Sequence, residues 1–316
     1  MFSNTVFTES SVCRVVWQWI YMFYMPLFVF ISGFLSHKNS TKKFWAGCLK
    51  LLEPLVILQV LTIGYDYFTG EEITVSRLLT PWWFIWYLLS LVCWRTMLHI
   101  LPPRILNHSK WVILSAFVIG IIADFLPFDR LLSIQRTLAL LPFFFWGYYM
   151  QTRNICLSSR YKPFCFMFLC FAFVLPVFLP EYLGDLRFAD RYPDISFMYS
   201  RILVFCVSIA MSVSFLCVCP DTRFLSKQGR YTLQYYIYHT VIVYFLMIIV
   251  RKLNLPDSAL AALVYTIFVT FVIWIFSHFS FFVKLTNPSV YLRNKKWHLH
   301  TTLHQVLRNV LGRYFR

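Results

Sequence analysis

Charge is scarce in this chain, and acidic charge most of all. Only 13% of its 316 residues are charged, with 13 Asp and Glu against 29 Lys and Arg. A soluble domain carries about 25–35% charged residues on its surface, so a solvent-covered globule is excluded. Nine cysteines are present, but none forms a CxxC pair, and most fall inside apolar stretches. This excludes a disulfide framework and gives no support to a zinc site; the thiols read as small apolar packing groups. The opening residues, MFSNTVFTESSVCR, hold no basic n-region, apolar h-region or cleavage site, so no signal peptide is expected. Linkers and low-complexity runs are lacking too. The formal charge of +16 does not point to nucleic acid, because no soluble basic domain with stacking aromatics accompanies it.

What is abundant is apolar length. Hydrophobic residues make up 59% and aromatics 20% of the chain. Nine apolar stretches run over 15–36, 46–64, 81–101, 111–128, 134–150, 162–180, 197–218, 231–250 and 258–283. Each approaches the ~20 residues needed to cross ~30 Å of hydrocarbon. The expected fold is all-α, a polytopic transmembrane helix bundle. Lys and Arg collect in alternate connections: Lys38 to Lys43, Arg104 to Lys110, Arg153 to Lys162, Arg223 to Arg230, and the tail after the ninth stretch. The intervening loops are acidic or mixed, with Asp66, Glu71, Glu72, Asp124, Asp129, Arg130, Glu181, Asp185, Asp190 and Asp194; Arg251-Lys252, close to Asp257, goes against the trend. Cytoplasmic loops collect the cations, so the C-terminus is expected inside and the N-terminus outside. Two units follow: a membrane domain over 1–283 and a basic amphipathic tail over 284–316 that lies against lipid headgroups.

Polar groups inside a bilayer are costly and mark candidate sites. Tyr24-Met25-Pro26 to Ser32-Gly33-Phe34 combines a proline, which frees a backbone carbonyl, with a Ser-Gly pair that permits close helix approach. It reads equally as a kinked packing helix. Pro81-Trp82-Trp83-Phe84-Ile85-Trp86-Tyr87 reads as an interfacial aromatic belt or as a site wall. Arg136, ahead of Leu141-Pro142 through Tyr148, either snorkels outward or presents its planar fork to an anion. On the eighth stretch Thr232, Tyr235 or Tyr236, and His239 share a helical face; His239 exchanges protons or holds two helices together. His298, His300 and His304 in the tail form a polar stripe, and no metal is expected there.

The order and spacing of these signals resemble the large integral-membrane acyltransferase family (acyltransferase type three), above all its sugar O-acetyltransferase branch, similar to fucose 4-O-acetylases. The residues that carry the resemblance are Phe23 to Phe34, Lys50 to Pro54, Trp82 to Tyr87, Arg136 to Tyr148 and Leu225 to His239, spread from about Tyr21 to His278. The family has ten spans. Its usual first helix, which carries an Arg and a His base, is missing from the matched pattern, and Tyr24 stands where the branch has His.

The resemblance implies O-acylation: acetyl-CoA as donor, no metal, and a hydroxyl of a cell-surface carbohydrate or lipid-linked glycan as acceptor, at a bacterial inner membrane. It implies catalytic roles for His239, Arg136 and Tyr24, and substrate contacts from Ser32, Arg14, Trp86 and Tyr235. Membrane lipid is an expected partner and nucleic acid is not. Two rival readings stand beside it. A transporter or flippase for a lipid-linked sugar uses similar broken helices, although the two halves of this chain show no internal similarity. An inactive, truncated acyltransferase is the other.

Overall fold

The computed structural model describes residues 11–69, 74, 78, 80–81, 85–126, 131–155, 158–178, 188, 198–220, 222–254, 258–279, 281–282 and 284. Among them all regular structure is helical: α1 (Ser11–Tyr21), α2 (Tyr24–Phe34), α3 (Thr41–Thr69), α4 (Trp86–Ile100), α5 (Ser109–Ile122), α6 (Ile134–Ala139), α7 (Leu141–Thr152), α8 (Lys162–Ala172), α9 (Met198–Val218), α10 (Thr232–Lys252) and α11 (Ala259–His278), with short helical turns between them. Helix therefore occupies every one of the nine apolar stretches. Five helical segments among the described residues are long and apolar enough to cross a bilayer: Cys13–Phe34, Thr41–Phe68, Met198–Val218, Thr232–Val250 and Leu260–His278. The others are shorter or broken.

Three of the breaks have one cause. A proline has no N–H to give to the carbonyl four residues back, and α1, α6 and α8 each end close to such a carbonyl. Pro26 withholds its bond from Met22, Pro142 from Leu138, and Pro176 from Ala172. At the first break the freed group finds a new partner. The Ser208 hydroxyl, fully buried on α9, donates to the Met22 carbonyl. A neighbouring helix thus supplies what proline removed, and α9 is tied to the junction of α1 and α2. Pro54, by contrast, sits inside α3 without ending it.

Helix α7 is central. It is apolar on every side, as expected of a helix surrounded by protein, and Leu141, Phe143, Phe144, Phe145, Tyr149 and Met150 are all buried. It packs mainly against α2 and α5, while α8 packs on α9, α3 on α4 and α10 on α11. The α2–α7 crossing depends on two glycines. A methyl group on Gly33 would overlap the Phe144 carbonyl, and one on Gly147 would overlap the Phe30 carbonyl. Neither position admits a side chain, and backbone meets backbone.

The outer faces are as apolar as the core. Phe68 on α3 is 87% exposed and Leu260 on α11 is 71% exposed, with Leu263, Val264, Ile267 and Phe271 alongside. Such continuous apolar surface suits lipid and not water. The tail after residue 284, the loop from Glu181 to Asp194 apart from Phe188, and His298, His300 and His304 lie outside the described residues.

Candidate active site

Helical spacing of four places Tyr24, Phe28 and Ser32 on one face of α2. Facing them are the first turn of α4, with Trp86 and Tyr87, the short helix α6 with Arg136, and α10 with Tyr236. These groups meet in one aromatic and polar cluster. The Phe28 ring lies 4.8 Å from the Tyr87 ring and 6.0 Å from Tyr236, stacked within 13° on the latter. Tyr87 and Tyr236 are 5.4 Å apart. Ser32 donates to the Phe28 carbonyl at 2.9 Å and also shares a short hydrogen bond with the Tyr87 hydroxyl. With the serine proton already committed, the Tyr87 phenol is the donor in that pair.

Arg136 stands at the edge of the cluster. Its guanidinium carbon is 5.0 Å from the centre of the Trp86 ring, within cation–π range. It also interacts electrostatically with the Tyr24 and Tyr236 phenols, and Tyr24 hydrogen-bonds to Tyr21. The Tyr21 ring packs 4.8 Å from Tyr24 and 4.1 Å from Trp17. Tyr24, Phe28, Ser32, Arg136 and Tyr236 are half-buried, whereas Trp86 and Tyr87 are buried. The former group keeps surface for a ligand; the latter pair forms the floor.

Two features of the local backbone aim Arg136. Leu132 and Ser133 have φ of 47° and 53°, a left-handed conformation costly for residues other than glycine. They turn the chain into α6. Thr137 then anchors that helix: its hydroxyl bonds Ser90 at 2.6 Å, and its carbonyl accepts from the buried Trp94 indole at 2.8 Å. Both partners belong to α4, so Arg136 and Trp86 are held by one assembly.

His239 adjoins the cluster through Tyr236, with ring centres 5.8 Å apart. Its Nδ1 is 3.1 Å from the Tyr235 carbonyl. A carbonyl only accepts, so Nδ1 carries the proton and Nε2 is left as the basic nitrogen. This arrangement suits a proton acceptor.

The expected site residues thus fall into two groups. Tyr24, Ser32, Trp86 and Arg136 converge, and His239 stands beside them. Tyr235 and Arg14 do not join. The Tyr235 hydroxyl donates to Gln228 at 2.8 Å, at the start of α10. Arg14 is exposed on α1, seven residues and ~10 Å before Tyr21. The open choice between Tyr235 and Tyr236 is settled by space: Tyr236 meets α2 and α4. Trp82, Trp83 and Phe84 lie outside the described residues.

Sequence reasoning passed over Tyr21, Phe28 and Tyr87 as contributors, and also Arg201 and Arg95. Arg201, on α9, is completely buried with its guanidinium 4.6 Å from the Phe188 ring. The signal for both arginines was visible as cations inside apolar stretches. No group of three or more His, Cys, Asp or Glu side chains gathers among the described residues.

The chain matches the model of a family described as an acyltransferase domain, over residues 2–278. No curated protein and no solved structure matches it.

Proposed function

We propose that this chain, which belongs to the acyltransferase family whose domain covers residues 2–278, transfers an acetyl-type group from acetyl-CoA to a hydroxyl of a cell-surface carbohydrate. It is an integral membrane protein of that family. The observation that carries the finer reading is the convergence of Tyr24, Ser32, Trp86, Tyr87, Arg136 and Tyr236 beside His239. Phenols and indoles offer flat faces and hydroxyl donors, which suit a sugar. A cation and an imidazole supply what acyl transfer needs.

In this reading the acceptor oxygen attacks the thioester carbonyl carbon. A C–O bond forms, the C–S bond breaks, and the hydroxyl proton passes to His239 Nε2 and then to the departing thiolate. General base assistance of this kind contributes ~10²–10⁴ in rate. Arg136 and the Tyr24 phenol stabilise the oxyanion formed on the carbonyl oxygen. Trp86 and Tyr87 form the floor of the site, and Ser32 orients the acceptor. The same reading takes nine crossings, with the C-terminus in the cytoplasm, and a bacterial inner membrane; the alternation of basic and acidic loops supports the orientation.

The test is the mass of cell-surface glycan from cells with and without the gene. Acetyl mass is expected with the wild-type chain and a ~100-fold or greater loss with His239→Asn or Arg136→Gln, each checked for wild-type expression and melting. Undiminished acetylation in both folded variants would overturn the residue assignments. Movement of a lipid-linked sugar across the bilayer with no mass gain would instead identify a transporter.

A further inference from the structure

A second polar feature lies away from the aromatic cluster, at the end of the bundle that carries the basic loops. Between the α2–α3 connection and the last turns of α4 is a cavity of about 120 Å³. His37, Lys38, Lys43, Arg95 and His99 line it, and no Asp or Glu does. The orientation rule accounts for lysines in a loop. It does not account for Arg95 and His99, which are half-buried on α4 and converge on the same space as the loop cations. Like charges gathered around a cavity repel one another, and an anion between them removes that cost.

The walls are built rather than adventitious. The His99 ring stacks on Phe44 at 4.3 Å and within 3° of parallel, and its Nδ1 is buried with no hydrogen-bond partner among the described residues. Lys38 donates to the Leu101 carbonyl at 2.6 Å, fastening the loop to the end of α4. Size limits the occupant. A pocket for a whole drug-sized ligand occupies ~300–1,000 Å³, so this one admits an anionic head and leaves the remainder of its molecule outside. Three fixed cations and two imidazoles suit an oxyanion with several acceptor oxygens.

We infer that this cavity binds a phosphate or pyrophosphate group, either of a soluble phosphorylated donor or of a lipid headgroup. The soluble-donor form rests on the acyltransferase reading above. Its geometry is consistent with that reading, because α4 joins the two places: Tyr87 lies in the aromatic cluster and Arg95 lines the cavity, eight residues or ~12 Å apart along the helix. The two side chains also interact electrostatically. A donor anchored by its phosphates here would have its far end directed toward Tyr87 and Ser32.

The test is equilibrium binding to the full chain in nanodiscs, read by intrinsic tryptophan fluorescence, with no transfer required. Inorganic pyrophosphate and desacyl coenzyme A are titrated in phosphatidylcholine discs, and the titration is repeated with phosphatidylglycerol present. Arg95→Gln and Lys43→Gln should each weaken binding ~10–100-fold, the loss of one charge-assisted hydrogen bond. Lys110→Gln, a surface lysine outside the cavity, should leave it unchanged. Competition between pyrophosphate and coenzyme A identifies a soluble donor. Displacement of pyrophosphate by phosphatidylglycerol, lost in the same variants, identifies a headgroup. Absence of saturable pyrophosphate binding, or binding unaltered in both variants at wild-type melting temperature, overturns the inference. If Arg95→Gln does not fold, Lys43→Gln, at an exposed position, still decides. Binding without glycan acetylation keeps this site and refutes the proposed function; acetylation that survives intact in variants that no longer bind pyrophosphate keeps the proposed function and refutes the soluble-donor form of this site.

Discussion

Replacing Ser208 by alanine removes a single hydroxyl, and its effect should depend on a residue 182 positions earlier. Pro26 leaves the Met22 carbonyl without its helical donor, and Ser208 fills that role from α9. With Ser208→Ala the carbonyl is buried and unsatisfied, a cost of ~1–3 kcal/mol. Hydrogen bonds between membrane helices average only ~0.6 kcal/mol, because the unfolded chain finds other partners in the bilayer. Here no local alternative exists, since the proline has removed it, so the larger figure applies. Pro26→Ala restores the missing N–H. In that background the serine is redundant, and Ser208→Ala should cost no more than ~0.5 kcal/mol, within the ordinary effect of a minor substitution. The assay is reversible denaturant unfolding in mixed micelles, followed by far-ultraviolet circular dichroism, for all four chains of the cycle. A coupling of at least ~1 kcal/mol is expected. Equal losses from Ser208→Ala in both backgrounds would show that the serine packs rather than substitutes for the lost bond.

Two further perturbations test the frame around the site. Gly33→Ala or Gly147→Ala forces α2 and α7 apart at a backbone contact, and overpacking of this kind costs ~1–3 kcal/mol or more; both variants should melt lower, the double variant lower still. Trp94→Phe preserves the buried ring but deletes the indole donor to the Thr137 carbonyl, so stability should fall by ~1–3 kcal/mol and acyl transfer should fall as well, because α6 then holds Arg136 less firmly. A wild-type melting temperature for the glycine variants, or full transfer in a destabilised Trp94→Phe, would count against the respective argument.

Much of this was legible in the residues. Apolar length located the long helices among the described residues, because burial in lipid demands long runs whatever their neighbours. Pro26 was readable as a source of a free carbonyl, yet its partner was not, for the distance from Met22 to Ser208 along the chain carries no local signal. Pro142 and Pro176 broke stretches that hydropathy alone reads as continuous, since hydropathy counts side chains and ignores a missing N–H. In the site, periodicity put Tyr235, Tyr236 and His239 near one face but left the tyrosines undecided; the choice belongs to α2 and α4, which present Phe28 and Tyr87 to one of them. Arg14 has the right charge and the wrong position, because a helical rise of ~1.5 Å per residue leaves it far down α1 from Tyr21. Arg95 and Arg201 are single cations inside apolar stretches, away from the motifs that carry the resemblance.

The paired glycines between α2 and α7 have a bearing on which helices can shift. Two helices whose backbones already touch have no slack along that seam, so α2 and α7 behave as one rigid plate that carries Tyr24 and Ser32. The hairpin of α10 and α11 is different, since its members pack chiefly on each other and Tyr236 meets Phe28 of the plate, and Tyr87 of α4, ring to ring. Flat rings slide and tilt at little cost, whereas interlocked backbones do not. A shift between α2 and α7 would have to break backbone contacts, whereas a shift of α10 against α2 would disturb only the ring contact of Tyr236 with Phe28.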